Sequence, residues 1–155
     1  MSQEHKDLVV AATEQIWNQN DVSAIERFIS PEFVGHDPAV AGPILGLDGY
    51  THYYKTFATA FPDQHFTNDE VLAEGDAVIV RWFVVGTHTG PLGEIPPTGN
   101  KARIPGINIV RVAHGRIVEE HMSWDTLGLM NQLGLVPSTV MFLPSARPRR
   151  APLTA

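Results

Sequence analysis

At Pro62-Asp63 the hydrophobic period of this chain changes, and the change limits the architectures open to it. Upstream, apolar residues recur at helical spacing; downstream they alternate. Leu8, Val9, Ala12, Ile16 and Trp17 mark an amphipathic helix over 4–18. Asp21 or Ser23 can cap a second short helix carrying Ile25, Phe28 and Ile29, ended by Pro31. Phe33 to Pro38 reads as a short strand entering a turn, and 39–46 as a Gly/Pro loop. A third helix covers 47–61, with Tyr50, Tyr54, Phe57 and Ala58 on one stripe. Beyond the switch, 65–73, 77–88, 101–112 and 116–124 read as strands, with turns at Gly75-Asp76 and His114-Gly115. A stiff loop fills 87–99, and a closing helix over 126–133 follows Asp125. Helices first and then a run of antiparallel strands predict an α+β fold with helices on one face of a sheet. The expected division is one domain over 1–136 and a Pro/Arg-rich tail over 137–155, whose Val140-Met141-Phe142-Leu143 can dock on the body or on a neighbouring subunit.

Strand 77–88 adds a second inference. Its even positions are Val78, Val80, Trp82 and Val84; its odd positions are Ile79, Arg81, Phe83 and Val85. Both faces are largely apolar, whereas a sheet covered on one side is polar on the other unless that side is also buried. A homodimer interface is the expected cover. Arg81 then needs an acidic partner, most simply in an interface salt bridge.

Charge and composition exclude several classes. All 17 acidic residues precede position 141, and three of the 11 basic ones sit in the tail, so the body is near −9 against −6 for the chain. Such a body repels nucleic-acid phosphates and anionic membranes. Cysteine is absent, which removes disulfides, thiol nucleophiles and thiolate zinc sites. The seven histidines show no metal-ligand spacing, so no metal is expected. With no targeting or membrane-spanning stretch visible, a cytoplasmic location is the expectation.

Gly86-Thr87-His88-Thr89-Gly90, Pro96-Pro97-Thr98-Gly99, Val110-Arg111-Val112, Gly115-Arg116-Ile117-Val118-Glu119, Asp125 and Gln132-Leu133-Gly134 together resemble the SnoaL-like polyketide cyclase, or ester cyclase, group of the nuclear-transport-factor-2-like fold. The resemblance spans about residues 4–136. It implies a cone of curved antiparallel sheet closed by the three helices around a pocket. It also implies intramolecular aldol closure without metal or cofactor. A carboxylate on the last long strand acts as acid/base in that group, helped by a histidine on the preceding strand and an asparagine after the second helix. Matched at Gly115, the histidine position falls on Asn108, the carboxylate on Met122, and the asparagine on Gly35 or Asp37. The functional types at the first two positions are thus replaced. The Asp37-Pro38 pair also resembles the place where ketosteroid isomerases of this fold carry their general base.

Four residues are the candidates for catalysis. Asp37, at a strand end facing the pocket mouth, is the expected base, and His36 a proton shuttle or oxyanion holder; the plainer alternative is a turn with backbone bonds. Asn108, Glu120 and Met122 share one face with Val118 and Trp124 if the family pairing holds. There Asn108 can donate to an enolate, and Glu120, among apolar neighbours, has a raised pKa. Alternatively Glu120 pairs with Arg111 or Arg116, and a one-residue bulge would bring His121 inside instead. Trp17, Tyr54, Phe57, Trp82, Met122 and Trp124 are expected to line the pocket around a hydrophobic small molecule. His88 is read as a loop staple and Asp125 as a helix cap. The leading function is cofactor-free proton abstraction beside a carbonyl, ending in cyclisation or isomerisation. A limonene-type epoxide hydrolase using Asp37, Arg81 and Glu120, and a non-catalytic dimeric binding module, are the alternatives.

Overall fold

A computed structural model describes residues 2–140. Positions 141–155, and with them most of the expected tail and its docking motif, lie outside the described residues. Helix α1 (Ser2–Ala12) continues into a π-helical turn, Thr13–Asn18, in which Gln19 N–H donates to Glu14 O at 2.9 Å. The Asp21 side chain caps a 3-10 turn, Val22–Ala24, by accepting from Ser23 N–H, and the short α2 (Ile25–Phe28) follows. Then come β1 (Ile29–His36), the two-residue β2 (Ile44–Leu45) and α3 (Gly46–Ala60). A meander completes the sheet: β3 (His65–Glu74), β4 (Ala77–Thr87), β5 (Lys101–Ala113) and β6 (Arg116–Trp124). Helix α4 (Thr126–Gln132) is capped by Asp125, whose Oδ1 accepts from Gly128 N–H at 2.8 Å.

The six strands lie in the order β2-β1-β6-β5-β4-β3. All neighbours are antiparallel except β1 and β6. Tight turns at Gly75 (φ +61°) and at His114-Gly115 (φ +52° and +70°) hold the β3–β4 and β5–β6 hairpins, so those pairs are antiparallel of necessity. No hairpin joins β1 to β6, so β1 enters beside β6 in parallel. It starts at Ile29, earlier than the sequence reading placed it. Pro31 therefore stands inside a strand, where the β1–β6 register slips between Ile29 and Val34 and no ladder N–H is demanded of it.

The core lies between the inner face of the sheet and α1, α2 and α3. Ile16, Ile25, Ile29, Phe33 and Val78 are all but inaccessible there. On β4 and β5 the even residues face inward, as alternation predicts. On β6 the alternation breaks once. Arg111 pairs with Glu119 and Val112 with Ile117, so Val118 is bulged out of register. Ile117 therefore replaces Val118 on the inner face, while Glu120 and Met122 stay inside and His121 stays outside.

The outer face carries Leu72, Ile79, Ile107 and Ile109, each at least 40% exposed. Arg81 lies among them, but its partners are local: Asp69 at 2.8 Å and Glu70 at 3.3 Å, both on β3 of the same chain. The expected interface ion pair is corrected to an intrachain one, because β3 sets two carboxylates directly beside Arg81.

The loop after β4 is fastened to the end of α3. His88 is fully buried; its Nδ1 lies 3.0 Å from Thr98 Oγ1 and accepts from Thr98 N–H at 3.2 Å. Thr89 and Gly90 both donate to Ala60 O. A side chain at position 90 would run into the Thr59 carbonyl. Gly90→Ala is therefore expected to cost about 3 kcal/mol in chemical denaturation, the upper part of the usual range for overpacking a rigid site.

Candidate active site

The inner faces of β4, β5 and β6, the π-helical turn, α3 and α4 enclose a cavity of about 130 Å³. Trp17, Tyr50, Tyr53, Phe57, Trp82 and Trp124 give its wall an aromatic character. The polar side chains that interrupt this surface include Glu120, Asn108 and Gln64.

Glu120 is buried on the cavity wall. Its strand neighbours are Val110 on β5 and Gly35 on β1. Among the described residues no cation or hydrogen-bond donor reaches its carboxylate; Arg111, an expected partner, pairs with Asp76 at 2.8 Å instead. Burial disfavours the charged form and raises the carboxyl from 4.5 to about 7. The nearby Tyr50 and Tyr53 hydroxyls are pushed above their ordinary value by burial first, with the Glu120 charge contributing, so both remain protonated.

Asn108 sits on the same wall. Its Oδ1 accepts from Trp82 Nε1–H at 3.0 Å. An indole N–H can only donate, so the amide orientation follows and its NH₂ is left for the cavity. Trp82 itself lies across Gly106, the residue opposite it on β5, where any side chain would collide with the indole. Gln64, just after the Pro62-Asp63 break, is buried in the cavity wall with its Nε2 unpaired.

Asp37 is buried but is not part of the cavity wall. Its carboxylate lies behind that wall and is densely bonded. Oδ1 accepts from Ala39 N–H at 2.8 Å and Trp124 Nε1–H at 3.1 Å; Oδ2 accepts from Tyr53 O–H at 2.6 Å and Trp124 Nε1–H at 3.0 Å. It thereby ties the end of β1 to α3 and β6 and orients two cavity aromatics. His36 points the other way. Strand alternation turns it to the outer face, where it stacks on His121 and approaches Glu119, so it does not share a site with Asp37.

Of the expected lining residues, Trp17, Phe57, Trp82, Met122 and Trp124 reach the cavity. Tyr54 does not: it is core, with its O–H donating to Asn20 Oδ1 at 2.9 Å. Tyr53 takes that place, on the stripe Tyr50–Tyr53–Phe57–Phe61 that the i, i+3, i+4 spacing already contained. The trio Asp37, Arg81 and Glu120 is split, because Arg81 is half-exposed on the opposite face of the sheet. Epoxide hydrolysis through that trio is excluded on geometry. Gln64 carried no sequence signal beyond its place after a helix-ending Pro-Asp turn. Strand pairing also brings His36, Glu119 and His121 together, a grouping that the spacing of histidines along the sequence does not show.

Residues 7–133 match the family described as SnoaL-like polyketide cyclase. The chain belongs to that family. Aklanonic acid methyl ester cyclase DnrD of Streptomyces peucetius is 28% identical over 109 residues, covering 70% of this chain and 72% of the relative. Wild-type IdmH of Streptomyces antibioticus is 28% identical with a TM-score of 0.73, over 84% of this chain and 98% of that one. A SnoaL-like protein of Jannaschia sp. CCS1 has a TM-score of 0.79 over 88% and 96% of the two chains at 20% identity, a likeness of fold. Asn108 and Met122, where the resemblance puts the family's histidine and carboxylate, are direct cross-strand partners on the cavity wall. Glu120 precedes Met122 by two residues on that face, about 7 Å along the strand at the usual rise. None of the described helices is long and apolar enough to cross a membrane.

Proposed function

We propose that this protein is a cyclase in which Glu120, not a residue at position 122, moves the proton. The observation that carries the reading is a lone carboxyl in an aromatic chamber, raised by burial to about 7. Such a group is partly ionised near neutrality, so it can accept a proton and return it as an acid. The carboxylate takes a proton from the carbon between two carbonyls of an aromatic polyketide ester. The Asn108 amide N–H donates to the enolate oxygen that forms. The enolate carbon attacks a second carbonyl of the same molecule, forming one C–C bond. The new alkoxide then recovers the proton from Glu120, so the product is an isomer of the substrate. Asp37 acts by positioning, through Tyr53 and Trp124.

A free space of about 130 Å³ is close to that of an engineered cavity that takes one benzene-sized ring. The reacting ring therefore fills the chamber while the remainder of a larger substrate lies outside it. Aklanonic acid methyl ester, named in the relative's activity, is the first compound to test. Its cyclisation is followed by chromatography, because the mass does not change. Turnover by the parent protein and its loss in Glu120→Gln support the reading; equal turnover in both overturns it.

We also infer a homodimer built on the outer face of β4 and β5, whose exposed apolar residues support it. Sedimentation is expected to give twice the chain mass for the parent protein and the single mass for an Ile107→Lys, Ile109→Lys double variant.

A further inference from the structure

The structure assigns a second, unrelated site to the outer face of β1 and β6: a divalent transition-metal site made by His36, Glu119 and His121. His36 and His121 are direct partners in the parallel β1–β6 ladder, and Glu119 is paired with Val34 two residues earlier, so all three side chains rise from one face. The two imidazoles stack with ring centres 4.3 Å apart and planes 15° from parallel. Each turns Nε2 toward the same carboxylate: His36 lies 3.5 Å from Glu119 Oε2 and His121 3.5 Å from Glu119 Oε1. The ligating atoms all fall within 4.8 Å of one another.

These distances fit a metal better than they fit ordinary hydrogen bonds. Two ligands bound to tetrahedral Zn²⁺ at its usual bond lengths are about 3.4 Å apart. The two nitrogen-to-oxygen separations, each to a different oxygen of the Glu119 carboxylate, are near that value at 3.5 Å, and the three ligand atoms, all within 4.8 Å of one another, draw together around an ion by side-chain rotation. Hydrogen bonds would be shorter, as the 2.6 Å Tyr53–Asp37 contact in the same protein is. Two imidazoles and one carboxylate suit Zn²⁺ and the later first-row divalent ions, and disfavour Mg²⁺ and Ca²⁺, which prefer oxygen. Side-chain exposures of 41%, 39% and 55% leave the site open to entry from solvent and leave a coordination position for water. An ion here clamps β1 to β6 next to the inner site, for Asp37 follows His36 and Glu120 lies between Glu119 and His121. The assignment does not depend on what the cavity does.

The test is Zn²⁺ titration of the full chain with no histidine tag, by calorimetry and by thermal unfolding, with visible absorption of the Co²⁺ form as a geometric readout. One Zn²⁺ per chain is expected, with a raised Tm and a d–d band for Co²⁺. His121→Ala and Glu119→Gln should each weaken binding at least about tenfold, since even outer-shell losses cost that much, and both should abolish the Tm rise. His65→Ala, at an exposed histidine elsewhere on the sheet, should change neither. Because His121 is exposed and His36 and Glu119 are half-exposed, circular dichroism of the variants should match the parent, which separates lost binding from lost folding. Absence of stoichiometric binding, or binding of equal strength in His121→Ala and the parent, would overturn the site.

Discussion

Glu120→Gln is expected to abolish turnover while making the protein more stable above neutral pH. Removing a general acid/base of this kind lowers the rate by about 10²–10⁴-fold. The stability effect follows from linkage. In the unfolded chain the carboxyl has its ordinary pKa of 4.5; in the folded chain burial holds it at about 7. Between those values the folded state keeps a proton that the unfolded state has released. Stability therefore falls as pH rises from 4.5 through 7, and is level beyond it. The loss over that window is roughly 3 kcal/mol. The glutamine variant has no such titration, but it buries an amide, which offsets part of the gain. At pH 8 it should be more stable than the parent by about 1–3 kcal/mol, and near pH 5 the difference should vanish or reverse. Urea unfolding of both proteins at the two pH values measures this directly. A variant whose stability relative to the parent is the same at both would contradict a buried, titrating Glu120.

The second large effect is expected at Asp37. Asp37→Ala leaves the Trp124 indole N–H without its acceptor and the Tyr53 hydroxyl with only the weak Met122 sulfur at 3.4 Å, and frees the end of β1 from α3 and β6. Losing these hydrogen bonds to the carboxylate, with one donor left unpaired and another left to a weak sulfur acceptor, should cost about 3–5 kcal/mol. Asp37→Asn keeps one carbonyl oxygen and should lose about 1–3 kcal/mol, since the remaining bonds are to a neutral acceptor. The pair of variants also separates two chemical roles. If Asp37 positions Tyr53 and Trp124, the folded Asn variant retains most of its turnover and loses it mainly through a higher KM. If Asp37 itself takes the proton, the Asn variant is as inactive as Glu120→Gln although folded.

How far the sequence could be read depended on whether a residue's surroundings were local. The helix-to-strand switch at Pro62-Asp63, the four strands of the meander, the Asp125 cap and the His88 staple are all local patterns, and the structure has them. The SnoaL-like family is carried by turn and loop residues spread over the chain, and it was legible for the same reason. What failed was non-local. That β1 runs parallel to β6 is not written in either strand, because no short turn joins them. The bulge at Val118 exchanges it for Ile117 on the inner face, and only the pairing with Arg111 and Val112 reveals it. Adjacency groups His36 with Asp37, yet neighbouring residues on a strand face opposite ways. Its actual companions are 83 and 85 positions away, at Glu119 and His121. Tyr54 and Tyr53 differ by one helical step of about 100°, enough to move one hydroxyl to Asn20 and the other to Asp37.

The proposed chemistry requires the Glu120 carboxyl to be half-protonated near neutral pH inside the folded protein. Its titration can be followed by ¹³C NMR of the side-chain carboxyl in protein labelled at glutamate, with Glu120→Gln identifying the signal. A midpoint close to 7 is the predicted result. A midpoint near 4.5, the value of a solvated glutamate, would contradict it.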